Sequence, residues 1–247
     1  DMRSDIAQGD GMFKSVDGGR SWTHIGLADS QQIARIRVDP ADPKRLFVAA
    51  LGHPYGPNDE RGVFRSTDGG AHWLKVLGPD DDTGAVDLLF DPTDAKVIYA
   101  ALWQTRRTPW SVYPPSSGPG SGVYKSTDGG DHWTRIDAGL PKQHGRVGLS
   151  ISPQAPQRVY ATVDAEPGGG LYRSDDGGAH WRLANADTRL WQRGWYFGEI
   201  AADPNNADRV YAMNTILLRS DDGGAHFVAQ QGDPTGDDYH ALWIDPA

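Results

Sequence analysis

One eight-residue pattern, Ser-x-Asp-x-Gly-x-x-Trp/Phe, occurs five times in this chain of 247 residues. The copies lie at residues 15–22, 66–73, 126–133, 174–181 and 220–227, and their starts are 46 to 60 residues apart. A repeat of this length is typical of folds that copy one supersecondary unit along the chain, such as solenoids and propellers. The repeat therefore constrains the fold more than any local propensity does.

A second pattern precedes the later copies. It consists of an apolar run, an Asp-Pro or Ser-Pro turn, and a run rich in β-branched and aromatic residues. It occurs at 34–51, 86–102, 147–163 and 199–214, and a shortened version ends the chain at 241–247. Such a pattern indicates two strands, a and b, joined by a tight turn. The residues flanking each eight-residue copy supply two further strands, c and d.

Each repeat is therefore predicted to be a four-stranded antiparallel blade, and the chain an all-β propeller. The order is c-d, four complete blades and a lone strand a, so the termini are expected to form one composite blade and the chain about five blades. Residues 1–247 are read as a single propeller domain or a propeller fragment. The ring either closes on itself or is completed by a second chain, and we favour a homodimer because unpaired blade edges promote association.

The eight-residue pattern is predicted to form the turn between strands c and d. Its carboxylates can accept backbone N–H bonds within the turn, and its paired glycines allow positive φ angles. These carboxylates are Asp17, Asp68, Asp128, Asp176 and Asp222. The closing Trp or Phe is expected to pack between sheets. The pattern is thus interpreted as a folding device and not as the functional site.

Composition excludes several classes of function. The net charge of −9 argues against a nucleic-acid partner, which would require a basic surface. No apolar run approaches the length that a membrane span needs. The absence of cysteine excludes disulfides and thiolate metal sites.

The five copies resemble the Asp-box, or BNR, repeats of bacterial sialidases, two-propeller xyloglucanases and sortilin-type receptor domains. The segments "GHPYGPNDERGVFRSTDGG", "RRTPWSVYPPSSGPGSGVYKSTDGG" and "HALWIDP" are most similar to large bacterial proteins described as glycosyl-hydrolase-like or sortilin-like. The resemblance implies a propeller that binds a glycan or a protein, and a periplasmic or secreted location. It does not supply a complete sialidase site, because the Phe/Tyr-Arg-Ile-Pro segment of sialidases is absent from the sequence.

Function is expected on the face opposite the repeated turns, where the b–c and d–a connections are long and irregular. Three histidines fall there, His53, His144 and His240, with Asp238 close to the last of them. Imidazole and carboxylate ligands could hold zinc or manganese and activate water. The alternatives are separate solvated loop histidines, or His53 acting as a general base without a metal.

Alignment of the a strands places Arg35, Asp87 and Glu199 at one level around the central axis. Two carboxylates and an arginine could form a catalytic acid/base pair with a charge partner. They could equally form a salt-bridge ring that keeps the channel polar, and the sequence favours that alternative.

Arginines and aromatic residues are concentrated in two of the irregular connections. They are Arg106, Arg107, Trp110, Arg189, Trp191, Arg193, Trp195 and Tyr196. Such residues suit sugar rings and anionic groups. The alternative is that the aromatic side chains only anchor the loops.

Three functions remain open from the sequence. The first is binding of a glycan or a small anionic ligand on the loop-rich face, with glycoside-hydrolase-like activity. The second is a metal-assisted hydrolase of ester or phosphoester bonds that uses the loop histidines. The third is a protein-binding scaffold without catalytic activity.

Overall fold

The structure is a computed structural model that describes residues 7–108, 110, 111, 113, 117–230 and 237–246. The described part contains eighteen strands and two short 3₁₀ helices, Ala28–Ser30 and Thr188–Leu190, with no α-helix. The strands are β1 Phe13–Lys14, β2 Thr23–His24, β3 Ile33–Val38, β4 Leu46–Ala50, β5 Gly62–Ser66, β6 Leu74–Leu77, β7 Thr83–Phe90, β8 Ile98–Gln104, β9 Gly122–Ser126, β10 Thr134–Arg135, β11 Val147–Ile151, β12 Val159–Val163, β13 Gly170–Ser174, β14 Arg182–Asn185, β15 Glu199–Ala202, β16 Val210–Met213, β17 Leu217–Ser220 and β18 Val228–Ala229.

The strands form five antiparallel sheets, each a meander in sequence order. The first sheet has two strands, β1 and β2, and the other four are β3–β6, β7–β10, β11–β14 and β15–β18. Their inner strands, β3, β7, β11 and β15, contact one another in that order. The predicted all-β propeller of four-stranded antiparallel blades is confirmed.

The five repeated segments, called the box turns below, connect strands c and d with the same bonds each time. The Ser Oγ donates to the Asp Oδ1 at 2.7 to 2.8 Å. It also accepts the N–H of the second glycine at 2.8 to 2.9 Å. Both glycines have positive φ, for example 76° at Gly129 and 88° at Gly130, which side chains rarely adopt. The predicted c–d turn is confirmed.

Two of the box turns also join their sheet to the preceding one through an indole N–H, whereas Trp133 Nε1 donates to Gly130 O in its own turn. Trp73 Nε1 donates to Ile25 O at 2.6 Å, and Trp181 Nε1 donates to Ile136 O at 2.7 Å. The predicted packing of these aromatic residues between sheets is therefore found at the interior junctions. Trp22 differs, because it is 62% exposed and its Nε1 donates only to Gly19 in its own turn.

The C-terminal segment 237–246 contains no strand in the described structure. It runs past β15, where Asn205 Nδ2 donates to Asp245 O at 3.4 Å. The first sheet keeps its two strands, so a composite blade built from both termini stays a prediction, and so does the homodimer. No helix within the described ranges is long and apolar enough to span a membrane.

Candidate functional site

The connections at the end of the propeller opposite the box turns form its loop-rich face. Since neighbouring strands are antiparallel, the b–c and d–a links all emerge on that side. The longer ones are residues 25–32, 51–61, 105–121, 136–146 and 186–198, and a shorter one is 164–169. Their lengths and sequences differ from blade to blade, in contrast to the box turns.

A buried arginine fixes two of these connections. Arg61 is fully buried, and its guanidinium donates to the carbonyls of Asp82 at 2.9 Å, Thr105 at 2.7 Å and His53 at 2.7 Å. Burial lowers its pKa to about 10. Gly52 is required beside it, since a Cβ there would collide with the Arg61 side chain. Arg61 therefore gives the loops a rigid base.

Aromatic rings from three separate segments meet on the loop-rich face. Tyr113 lies 5.0 Å from Trp195 between ring centroids, and Trp195 lies 5.6 Å from Tyr196. Tyr196 contacts His240 edge-on at 4.5 Å, and His240 stacks on Phe197 at 5.0 Å. These five rings are called the aromatic line below. It extends from the exposed Tyr113 to the buried Phe197.

The loop 187–198 carries most of this line. It starts at Asp187, whose Oδ1 accepts from Arg189 N at 2.9 Å and caps the second 3₁₀ helix. Arg193 has a left-handed φ of 59° and turns the chain. At Gly194 the backbone approaches Asp164 so closely that a Cβ would collide with its carboxylate. The loop therefore covers one carboxyl group and presents Trp195 and Tyr196 beside it.

That carboxyl group has the most perturbed acidity in the loop-rich face. Asp164 is 7% exposed, and burial raises its pKa to about 7. Arg146 and His144 oppose the increase through their charge, and Glu166 adds to it. A carboxyl with this pKa is largely protonated below neutral pH and can donate a proton.

The central channel contains a chain of ion pairs at mid-height. Arg35 Nε contacts Asp87 Oδ1 at 3.0 Å, and Arg35 also pairs with Glu199. Glu199 in turn contacts Arg146 at 3.0 Å, and Asp87 Oδ2 accepts from Leu149 N at 2.8 Å. The predicted common level of Arg35, Asp87 and Glu199 is confirmed. Their contacts are those of the salt-bridge ring, because both carboxylates are already engaged by arginines or backbone N–H groups.

The histidines and Asp238 predicted to bind a metal lie on the loop-rich face but are not brought together. His144 is buried, with its Nε2 3.8 Å from Asp137, whereas His240 is exposed and packs in the aromatic line. His53 is half-buried, and Asp238 is exposed. No three His, Cys, Asp or Glu side chains among the described residues form a group able to hold a metal ion. The zinc or manganese site therefore stays a prediction without an assembled ligand set.

The predicted ligand-binding arginines have different surroundings. Arg106 pairs with Asp82 and is partly exposed, whereas Arg107 is only 4% exposed. Burial removes Arg107 from the surface that a ligand could reach. Arg193 is exposed, and so is Trp110 at 85%. Arg193 and Trp195 flank Gly194, whose backbone lies against Asp164, and Tyr196 follows Trp195.

Two important residues were not singled out from the sequence, Asp164 and Arg61. A signal for Asp164 exists, because the corresponding position after strand b is Leu51 in the second sheet and Trp103 in the third. The last sheet has Thr215 there, which is half-buried, so a buried charged residue at this position occurs in one sheet alone of the four. Arg61 follows an irregular connection and has no comparable signal.

Comparison with known proteins is consistent with this architecture. No family model matches the chain. A xyloglucanase, Xgh74A of Acetivibrio thermocellus, is 27% identical over 154 residues, which cover 54% of this chain and 17% of that protein. The chain thus spans about a sixth of the length of this relative.

Solved structures show the same fold. An ancestral GH74 enzyme matches 97% of this chain and 31% of its own, with a TM-score of 0.71 and 22% identity. The GH74 xyloglucanase of Xanthomonas campestris matches 89% of this chain and 34% of its own, with a TM-score of 0.65 and 20% identity. YCF48 bound to D1 peptide matches 95% and 66%, with a TM-score of 0.57 and 17% identity.

Proposed function

We propose that the loop-rich face binds a glycan chain and that the protein is glycoside-hydrolase-like. The observation that carries this proposal is the position of Asp164 beneath the loop that presents Trp195 and Tyr196. The loop 187–198 thus covers a proton-donating carboxyl and also carries several of the ring faces. The likeness to xyloglucanases supports the choice of a glycan over other ligands.

The aromatic line is suited to a chain of sugar rings. Aromatic side chains offer large apolar faces, and Tyr and Trp add a polar tip that can hydrogen-bond to hydroxyl groups. Trp195 is half-buried and packs on the core beneath it, so its ring is held in place before a ligand arrives. Preorganisation of this kind reduces the entropy lost on binding.

Hydrolysis would use Asp164 as the general acid. It would transfer its proton to the glycosidic oxygen as the bond to the anomeric carbon breaks. Glu166, which is exposed and close enough to raise the pKa of Asp164, would take a proton from the attacking water. The new bond then joins the water oxygen to the anomeric carbon, and both carboxyl groups exchange protonation states.

The sequence predicted catalytic roles for Asp87, Glu199 and His53. The ion pairs of Asp87 and Glu199 suit a supporting role, because Glu199 holds Arg146 beside Asp164. Xyloglucan is the first substrate to test, since it is the substrate named for the relatives. A periplasmic or secreted location follows from the resemblance and fits such a substrate.

The test combines binding and hydrolysis of xyloglucan by the purified protein. Asp164→Asn should abolish the release of reducing ends while binding persists, and Trp195→Ala should weaken binding. Trp22→Ala, which alters an exposed Trp of the box side, serves as the matched control and should change neither. Absence of xyloglucan binding by the folded protein would overturn the proposal and favour a protein-binding scaffold.

A further inference from the structure

A cavity lies in the central channel, on the box-turn side of the ion-pair chain. Its volume is about 430 Å³, within the usual range for small-molecule sites. Its walls come from β3, β7, β11 and β15 and from the C-terminal segment 242–246. Arg35 and Asp87 of the ion-pair chain lie at its inner end. The cavity therefore opens away from the glycan face and is separate from Asp164.

One cation in this cavity, Arg37, forms no salt bridge with a carboxylate among the described residues, and Asp87 acts on it only at longer range. Arg37 lies two residues after Arg35 on β3, so both side chains point into the channel. The Arg37 Nη1 donates only a long 3.4 Å bond to the adjacent carbonyl of Ile36. Arg35, in contrast, is engaged by Asp87 and Glu199.

The ionisable side chains in the channel favour an anionic ligand. Among the described residues they are Arg35, Arg37, Arg146, Asp87 and Glu199, which leaves one positive charge in excess. Asp245 is exposed and is not part of the cavity wall. Burial lowers the pKa of Arg37, which shows that its guanidinium is partly removed from water. The charge of Asp87 favours the Arg37 cation, but Asp87 is already in contact with Arg35, so the paired donors of Arg37 are left for a ligand carboxylate.

The side chains of the cavity walls favour a ligand that carries an aromatic ring. They include the apolar side chains of Leu89, Leu149 and Ile200 around the channel. Trp243 also lines the cavity and is 77% exposed, so a face of its ring is open to a ligand. An aromatic ring on the ligand can pack against these apolar side chains and against the ring of Trp243.

We propose that the box-side half of the central channel binds a small aromatic monocarboxylate, with its carboxylate on Arg37 and its ring against Trp243. This site is independent of the proposed glycan function. It is also distinct from the aromatic line, which lies at the opposite end of the propeller.

Binding can be measured by NMR titration with benzoate, using benzamide as the neutral counterpart and acetate as the counterpart without a ring. Benzoate should bind best, and its affinity should fall as salt is added. Arg37→Gln should weaken benzoate binding by roughly tenfold or more, as expected for a lost charged hydrogen bond. Arg37→Lys should retain part of the affinity, because it keeps the charge but not the paired donors.

Arg20→Gln is the matched control, since Arg20 is an exposed arginine on a box turn of the same side. It should bind benzoate as the unaltered protein does. Equal binding of benzoate and benzamide, or unchanged binding by a folded Arg37→Gln protein, would overturn the proposal. Absence of any benzoate binding at millimolar concentration would overturn it as well.

Discussion

The two ends of this propeller are built on opposite principles. At one end, five box turns repeat the same bonds to within about a tenth of an ångström. At the other end, the connections between the described strands range from three to seventeen residues. The repeated end holds the sheets together, and the irregular end collects the aromatic line and Asp164. In a repeat fold, the departures from the repeat are therefore the better guide to chemistry.

The contrast extends to the acidity of the two ends. The box carboxylates accept several hydrogen bonds each, and the bond from His132 N to Asp128 at 2.9 Å is one of them. These bonds hold the pKa of Asp128 well below its usual range. Asp164 has no comparable donors, and burial raises its pKa to about 7. One end stabilises carboxylate charge, and the other opposes it.

The largest expected effect is on the free energy of unfolding and comes from replacing Asp164. The pKa of Asp164 is an ordinary 3.8 in the unfolded chain and about 7 in the folded protein. Between these pH values the unfolded chain loses its proton first, so the free energy of unfolding falls as pH rises. Asp164→Asn removes this loss. We expect the variant to exceed the unaltered protein in free energy of unfolding by about 3 kcal/mol near pH 8, and to match it near pH 4. Urea unfolding at both pH values measures this, and a pH-independent difference would contradict it.

The next effect concerns the box turns. Ser126 is 1% exposed, and its Oγ accepts the buried N–H of Gly130 at 2.9 Å. Ser126→Ala leaves that N–H without its acceptor and should lower the free energy of unfolding by about 2 kcal/mol. Ser15→Ala is the matched variant in the first turn. There the Gly19 N–H is exposed and water can replace the acceptor, so urea unfolding should show a smaller loss.

A smaller effect is expected for ligand binding at the irregular end. Trp195→Ala should weaken xyloglucan binding by about tenfold, corresponding to about 1.4 kcal/mol, because a preformed ring face is lost. Calorimetric titration gives the affinity, and circular dichroism verifies the fold. An equal loss of xyloglucan affinity in Trp22→Ala would show that glycan binding is not confined to the loop-rich face.

The smallest effect is the titration of a box histidine. His132 Nδ1 contacts Asp128 Oδ2 at 2.6 Å, and this hydrogen bond raises the pKa of His132. The pair therefore stabilises the turn at acidic pH, and its contribution declines as pH rises through the raised pKa. NMR titration should give a pKa above 6.5 that decreases in Asp128→Asn. A pKa unaffected by that substitution would mean that the pair does not form in solution.

The sequence predicted the repeated end well because its contacts are local. The bonds of a box turn join residues two to four positions apart, so eight letters determine them. The alternation of apolar residues likewise predicted the strands, and alignment of the a strands brought Arg35 to the level of Asp87 and Glu199.

The candidate site was predicted less well because its properties depend on distant segments. The acidity of Asp164 depends on burial by a loop some thirty residues later and on Arg146 from the preceding connection. Likewise, the aromatic line requires Tyr113, Trp195 and His240 to meet. Trp195 and Tyr196 were selected for their residue types, but their contact with His240 could not be read from spacing. Whether the histidines meet as a metal set likewise depends on distant segments, and the described residues contain no assembled group of three ligands.

A crystal structure of this protein with a xyloglucan oligosaccharide tests the central claim most directly. We expect sugar rings to lie along Trp195 and Tyr196, with a glycosidic oxygen within hydrogen-bonding distance of Asp164. An oligosaccharide bound to the box turns, or along another part of the surface away from residues 187–198, would contradict the assignment of glycan binding to the loop-rich end.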